Sequence, residues 1–533
     1  MKKADDQSAE KSIPQNETAD NTALTDGQSM HRRKFVEVMA SSALAFTIVP
    51  RHVLGGKNFV APSDKVTLAY IGVGTQGIRE LLPLLANTQF QVVAVCDPNK
   101  QAIGYKDWAK DWLKGEIRKT IKKSDWEPGG DNSIPGGRDN GKSIVDNFYA
   151  NVHPELSYKG CTAYADAREL LDKEKDLDAV KIMTPDHLHG ILSMAAIKRG
   201  KHVLVHKPLS NRLIEGKKVI AMARGSRAIT HLIPWDSNGS METVMAWINA
   251  GAIGTLKEVH NWTNRPVWPQ YPTLPTDQPP VPPGLDWNLW LGPEADRPYH
   301  PNYTNMVFRG WYDFGGGSMA DMGHYSLWTV FNALQLTHPT VIEPNLSHVC
   351  GMKDPVPFQI HNDFSFPMAS SVRFHYPANG SRPAVDLCWY DGGMRPPIPT
   401  ELLEQNKELP AEGMMFVGDK GKILAGFNVQ NPQIISGTKM DSPANANADK
   451  RNQVEQTSAA LPLFIDACKT GKQYPGNFTE AEYITEAINL YAVSLRTGRL
   501  LKYDAEKVQI TNVGEANKFL DRTYRDGWDP ASI

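Results

Sequence analysis

The chain has 533 residues, 41% hydrophobic and 22% charged, enough to bury more than one substantial core. Its formal net charge of −2 supplies no basic field for nucleic acid and no polybasic patch for a membrane surface. Five widely spaced cysteines without a CxxC pair exclude a zinc ribbon or a disulfide framework and read as core thiols.

Residues 1–60 read as signal and linker rather than folded domain. Residues 1–30 are polar and low in aromatics. Arg32-Arg33, with Phe35 two residues on and an apolar run from Met39 to Val49, has the pattern of a twin-arginine export signal. The run is too short to be a stable membrane anchor, and no lipid-accepting cysteine follows it. The expectation is export to the periplasm by the twin-arginine machinery, a route that carries folded protein with its cofactor loaded.

Val66 to Ile71 is an apolar, β-prone run, and Gly72-Val73-Gly74-Thr75-Gln76-Gly77 follows at once. Ile78 to Leu85 then has helical spacing, and Gln91 to Cys96 is the next strand, ending at Asp97. Strand, glycine turn, helix, strand and acid make the βαβ unit of a dinucleotide fold. Gly72 permits the tight turn, Gly74 lets the backbone approach a pyrophosphate, and Gly77 lets helix and strand pack closely. The helix start offers free N–H groups to the phosphates. Asp97 stands where a carboxylate meets the ribose hydroxyls and repels a 2′-phosphate, so NAD is expected in preference to NADP.

Residues 101–150 read as an insertion: a charged helix from Gln101 to Lys123, then proline-glycine loops. The alternation resumes with helices at 167–174, 190–199 and 215–224 and strands at 179–183, 202–205 and 228–232. This bounds a Rossmann domain at about 61–235. From 236 onward strands dominate. A helix at 241–250, an irregular Pro/Trp-rich stretch from Pro266 to Pro298, and a helix at 319–334 come first. A β-rich run to about Ala425, a polar loop at 430–452 and helices at 454–470 and 480–497 follow. The expected fold is α/β, an N-terminal Rossmann domain followed by an α+β domain (236–533) with a large open, mostly antiparallel sheet.

Thr184-Pro185-Asp186-His187-Leu188-His189, Gly200-Lys201-His202-Val203-Leu204-Val205-His206-Lys207-Pro208, Asp286 to Pro293, Phe314-Gly315-Gly316-Gly317 and Gly418-Asp419-Lys420-Gly421 occur in a fixed order after the glycine loop. Together they resemble the glucose–fructose oxidoreductase / inositol dehydrogenase / rhizopine-catabolism family (Gfo/Idh/MocA), in its exported form, from about Lys65 to the C-terminus. The resemblance implies an NAD(P)-dependent sugar oxidoreductase that pairs through its sheet as a homodimer or homotetramer. It also implies that Thr184, Pro185, His187, His189, His206 and Lys207 edge the nicotinamide, with Gly72, Gly74, Thr75, Gln76, Gly77 and Asp97 holding the rest of the cofactor.

The family signature is Glu-Lys-Pro; here it reads His206-Lys207-Pro208. An ammonium at Lys207 would ease deprotonation of a sugar hydroxyl and stabilise the developing oxyanion. The family places an Asp and, four residues on, a His on one helix face. Here Asp321 is followed by His324 at three and Tyr325 at four. His324 is the expected general base because its pKa is nearer working pH; Tyr325 is the alternative, and Asp321 orients the base or holds a hydroxyl. Arg265 and Trp268, and less directly Trp235-Asp236, are expected on the substrate side. His187 and His189 have no further ligands at metal spacing, so no metal is expected. Two other functions share this fold: a glycoside hydrolase that uses NAD transiently, and a non-catalytic sugar-binding protein.

Overall fold

In the computed structural model, residues 64–101, 103–107, 109–130, 134–155, 158–234, 239–441 and 460–533 are described. The expected export signal at Arg32-Arg33 and the pair Trp235-Asp236 lie outside them.

The N-terminal half is a six-stranded parallel sheet. Its strands are β1 (Val66–Ile71), β2 (Phe90–Cys96), β3 (Thr162–Tyr164), β4 (Ala179–Ile182), β5 (His202–His206) and β6 (Thr230–Ile233), in the order β3-β2-β1-β4-β5-β6. The strands read as near-continuous apolar runs because both faces are covered. Helices α1 (Thr75–Leu85), α2 (Trp112–Thr120), α3 (Arg138–Val152), α4 (Ala167–Lys173), α5 (Asp186–Lys198) and α6 (Leu213–Arg224) follow in chain order. The order reverses at β1 and β4, which opens a crevice beyond their carboxyl ends, where such sheets bind ligands.

The segment 101–150 differs from its expectation. The charged helix is shorter, α2 alone, and the last part is a full helix, α3, not loop. That helix is the crossover between β2 and β3 and buries Ile144, Val145, Phe148 and Tyr149 against the sheet. Asn140 and Gly141 disguise it in the sequence. They are there because the helix start abuts the glycine loop: Gly137 N–H donates to the Val73 carbonyl at 2.8 Å, and a Cβ on Gly141 would meet Val73 at 2.5 Å.

The second half carries α7 (Gly239–Asn249), β7 (Leu256–Trp262) and a nine-stranded sheet with seven antiparallel pairings and one parallel pairing, β7 with β8 (Val385–Tyr390). The Pro/Trp-rich stretch is not wholly irregular. It contains α8 (Trp287–Leu291), capped by Asp286, whose carboxylate accepts from Leu289 N–H at 2.9 Å. The long helix α9 (Gly317–Leu334) starts at Gly317, whose φ of +68° and contact with Phe366 exclude a side chain.

The chain then returns to the first half. Helix α10 (Leu461–Thr470) places Leu461, Phe464 and Ile465 in the core that covers one face of the parallel sheet. Helix α11 (Glu482–Thr497) packs in the core shared by both sheets. Residues 236–533 are therefore not spatially separate from the dinucleotide fold, although they follow it in sequence. Cys350, expected in a core, is exposed, on the hairpin Val349–Lys353 with Val356–Ile360.

Burial drives His187, His189 and His231 down to about 3, and His324 well below the ordinary value. The unfolded chain takes up these protons near pH 6.5, the native chain only well below that. Their stabilising contribution is thus complete above about 6.5 and is lost as pH falls, by up to about 1.4 kcal/mol per pH unit for each group. Asp97 and Asp186, pushed up to about 6 by burial, act oppositely: their contribution is present below the ordinary carboxylate value and lost as pH rises through about 6. With His202 and His206 also lowered by burial, and Glu215 and Asp391 also raised by it, six imidazoles stand against four carboxylates, so thermal melts should show the midpoint falling from pH 7 to pH 5. A midpoint rising over that interval would contradict this balance.

Candidate active site

A cavity of about 430 Å³ runs from the glycine loop to the side chains of Lys207, Asp321 and Tyr325. At one end lie Gly72, Gly74, Thr75, Gln76, Gly77 and Asp97. Gly72 has φ +94°, and a Cβ there would stand 2.5 Å from the Met183 backbone. A Cβ on Gly77 would overlap the Gly72 carbonyl oxygen. Helix α1 begins here with no side-chain cap and no acid in its first turn, so its opening amides and its positive pole face the cavity. This cradle fits a pyrophosphate, and the residues present fit a dinucleotide.

Asp97 accepts from Val73 N–H and from Asn99 N–H, each at 2.8 Å, and Tyr105 hydroxyl lies 3.5 Å away. It therefore pins the glycine loop to the end of β2 as well as edging the cavity. Tyr105, Ile103 and Lys106, from the inserted segment, also line the cavity. Nothing in their spacing marks them in the sequence; only the folding of the segment over the loop brings them there.

At the other end stand Thr184, Pro185, His189, His206 and Lys207. His187 does not join them. It is fully buried, its Nε2 sits 2.9 Å from the Trp290 carbonyl, and its ring packs on Trp290 and Phe314. Its place on helix α5 turns it toward the aromatic cluster, so the expected cofactor contact is corrected to a packing role. His189 does line the cavity but is held between the carbonyls of Pro208 and Thr184.

Lys207 donates from Nζ to Asp321 Oδ1 at 2.8 Å and to the Asp321 carbonyl. Arg309 Nε lies 3.1 Å from Oδ1 and Arg265 Nε 3.6 Å from Oδ2 of the same carboxylate. Burial disfavours ionisation of Asp321, but Lys207, Arg309 and Arg265 outweigh it and hold its carboxyl well below the usual range. Burial brings the Lys207 ammonium below the ordinary lysine value, an effect Asp321 partly offsets. Arg309 and Asp186 were not legible as site residues. Asp186 lies within a quoted motif, yet its role emerges only from the fold, where it accepts from Gly316 N–H at 3.0 Å. Trp268 lines the cavity beside Arg309.

The two candidates for the base separate clearly. Tyr325 lines the cavity, with Lys207 Nζ 5.2 Å from its ring centroid. His324 does not. It is 1% exposed, packs edge-on to Trp328, and neither ring nitrogen hydrogen-bonds to the protein. One residue is a 100° rotation about a helix axis, so Asp321 and Tyr325 share a face that His324 leaves. The expectation that His324 is the general base and a substrate contact is not met by its position, since of the two residues Tyr325 is the one at the cavity.

Among the described residues no group of three or more His, Cys, Asp or Glu is placed to hold a metal, and no helix is long and apolar enough to cross a membrane.

The parallel sheet, glycine cradle and lysine–carboxylate end define a dinucleotide-binding α/β protein of the oxidoreductase class. The description "Oxidoreductase family, NAD-binding Rossmann fold" matches residues 143–232, and "Oxidoreductase family, C-terminal alpha/beta domain" matches 244–344 and 353–530. The chain belongs to the Gfo/Idh/MocA oxidoreductase family.

It is similar to a levoglucosan dehydrogenase of Pseudarthrobacter phenanthrenivorans, 30% identical over 115 residues, covering 20% of this chain and 29% of that protein. It is also similar to a dTDP-3,4-didehydro-2,6-dideoxy-alpha-D-glucose 3-reductase of Streptomyces antibioticus, 29% identical over 170 residues, covering 32% of this chain and 40% of that protein. These matches thus span less than half of either relative. The WlbA dehydrogenase of Chromobacterium violaceum, solved with NADH and UDP-GlcNAcA, shares the fold. Its TM-score is 0.50 at 13% identity, over 83% of this chain and 97% of that one.

Proposed function

We propose that the protein is an exported sugar or glycoside oxidoreductase that transfers hydride between a ring carbon and a nicotinamide it keeps bound. The carrying observation is that Lys207 and Tyr325 meet at the far end of the cavity that starts in the glycine cradle. That reach suits one extended dinucleotide with its redox end beside them, and the bound cofactor supplies hydride acceptance and donation. Lys207 would donate to the substrate hydroxyl oxygen and stabilise its developing negative charge. Asp321, locked by three cations, fixes the Lys207 ammonium in place. Tyr325 would take the hydroxyl proton. Arg265, Arg309 and Trp268 offer donors and an aromatic face for a pyranose or polyol.

The twin-arginine pattern at Arg32-Arg33 supports periplasmic localisation, and the resemblance to sheet-paired relatives supports a dimer or tetramer formed through the second sheet. Outside the cytoplasm a free NAD pool is not expected, so the nicotinamide would be recycled by a second sugar or within one turnover. The test is to denature the purified mature protein, identify released nucleotide, and mix the intact protein with a sugar and glycoside panel while following NADH absorbance. Bound NAD reduced by a sugar is the expected result. Aglycone release without net NADH would instead identify the transient-oxidation hydrolase. No bound nucleotide together with no reaction would overturn both.

A further inference from the structure

Tyr325 cannot serve as a base unless its own proton has somewhere to go. Burial, with Glu80 and Asp321 nearby, pushes the phenol well above its ordinary value, so a standing phenolate is disfavoured. Lys207, Arg265 and Arg309 are cations and accept nothing. Asp321 is committed to them, and His189 is held by two carbonyls.

Among the described residues, the acceptor within reach of the Tyr325 hydroxyl is on the cavity wall next to Lys207. His206 Nε2 lies 3.5 Å from the Tyr325 hydroxyl, longer than the about 2.6–3.2 Å of a working proton-transfer pair, so the contact must tighten when substrate binds. The same nitrogen lies 3.2 Å from Glu80 Oε1, on helix α1 directly behind the glycine loop. The other oxygen of Glu80 is paired with Lys181 Nζ at 2.8 Å. All three side chains are nearly inaccessible, at 6% for His206, 2% for Glu80 and 3% for Lys181. Burial opposes ionisation of Glu80, but Lys181 and His206 hold it well below the usual carboxylate range, so it stays an anion.

We propose that His206, backed by Glu80, is the proton store of this site and that Tyr325 is the conduit to it. The proposal rests on the sugar-oxidation reading above. The substrate O–H bond breaks as its proton passes to the Tyr325 oxygen, while the Tyr325 O–H bond breaks as its own proton passes to the lone pair of His206 Nε2, whose resting ring carries its single proton on Nδ1; the new Nε2–H then faces Glu80. A nicotinamide held from the glycine cradle would supply the acceptor for the hydride that leaves the substrate carbon. The imidazolium so formed is a cation in a dry site, and Glu80 is its counter-ion. His206 is faced by Glu80 and Lys181, by Lys207 next to it in the chain, by His189, and by His324 and Tyr325 from helix α9. Burial and the two lysines keep it neutral at rest; Glu80 makes the protonated form reachable.

The test uses the full cofactor-loaded protein. In H206A, kcat for sugar oxidation should fall by about 100-fold or more, with KM changed far less. Added imidazole should restore at least about tenfold in H206A and nothing in Y325F. In the wild type, kcat should fall on the acid side as His206 becomes protonated. E80Q, which leaves His206 in place, should move that limb to lower pH, because the imidazolium loses its counter-ion. An acid limb unmoved in E80Q, or a folded, NAD-loaded H206A that retains that limb and ignores imidazole, would overturn the proposal. If H206A does not fold, the E80Q limb decides alone. A wild type whose nicotinamide no sugar reduces would instead refute the sugar-oxidation reading.

Discussion

Lys207→Met is expected to lower turnover by about 10³-fold while the protein stays folded and retains its NAD. That factor is about 4 kcal/mol of lost transition-state stabilisation. The ammonium lies against both Asp321 and the Tyr325 ring, and its side chain is 3% exposed, so water cannot replace it cheaply. Methionine keeps the buried stem and removes only the charge. Asp321 keeps Arg309 and Arg265 as partners, so its carboxylate is not stranded. Single-turnover reduction of bound NAD measures the effect directly. A loss below about tenfold would show that Lys207 serves packing rather than chemistry.

The second expected result is a contrast between neighbours. Tyr325→Phe should cost between about 10²- and 10⁴-fold in kcat, the usual reach of a positioned acid–base group. His324→Leu should leave turnover within about threefold and leave the melting temperature unchanged or raised. The reason is in the environment. An imidazole buried without a protein partner forfeits about 1–3 kcal/mol of hydration, and leucine of similar size forfeits none. Parallel kinetics and thermal melts of the two variants decide it. A His324→Leu enzyme that is dead but folded would restore His324 as the base.

Much of the dinucleotide half is legible in the chain itself. Gly72, Gly74 and Gly77 follow an apolar strand and precede amphipathic spacing, and local sterics leave few other arrangements. Asp97 at the end of the next strand is equally local. Helix α3 escaped because its first turn is shaped by contact with the glycine loop, so its small and polar residues answer to a neighbour distant in sequence. The return of α10 to the first core escaped for the same reason: an apolar helix face does not state which sheet it covers.

The site divides along the same line. The lysine of the signature, the carboxylate of the helix and the glycine cradle were set by the sequence, because each is fixed by a motif a few residues long. Which of His324 and Tyr325 enters the cavity was decided by the rotation of α9 against its neighbours, and a spacing of three against four does not reveal it. Arg309, Tyr105 and Glu80 come from segments with no motif and meet the cavity or its wall only through packing. The replacement of Glu by His206 looked in sequence like a loss of negative charge beside Lys207. Tertiary structure returns that charge from Glu80, 126 residues earlier in the chain, because helix α1 lies against the end of β5.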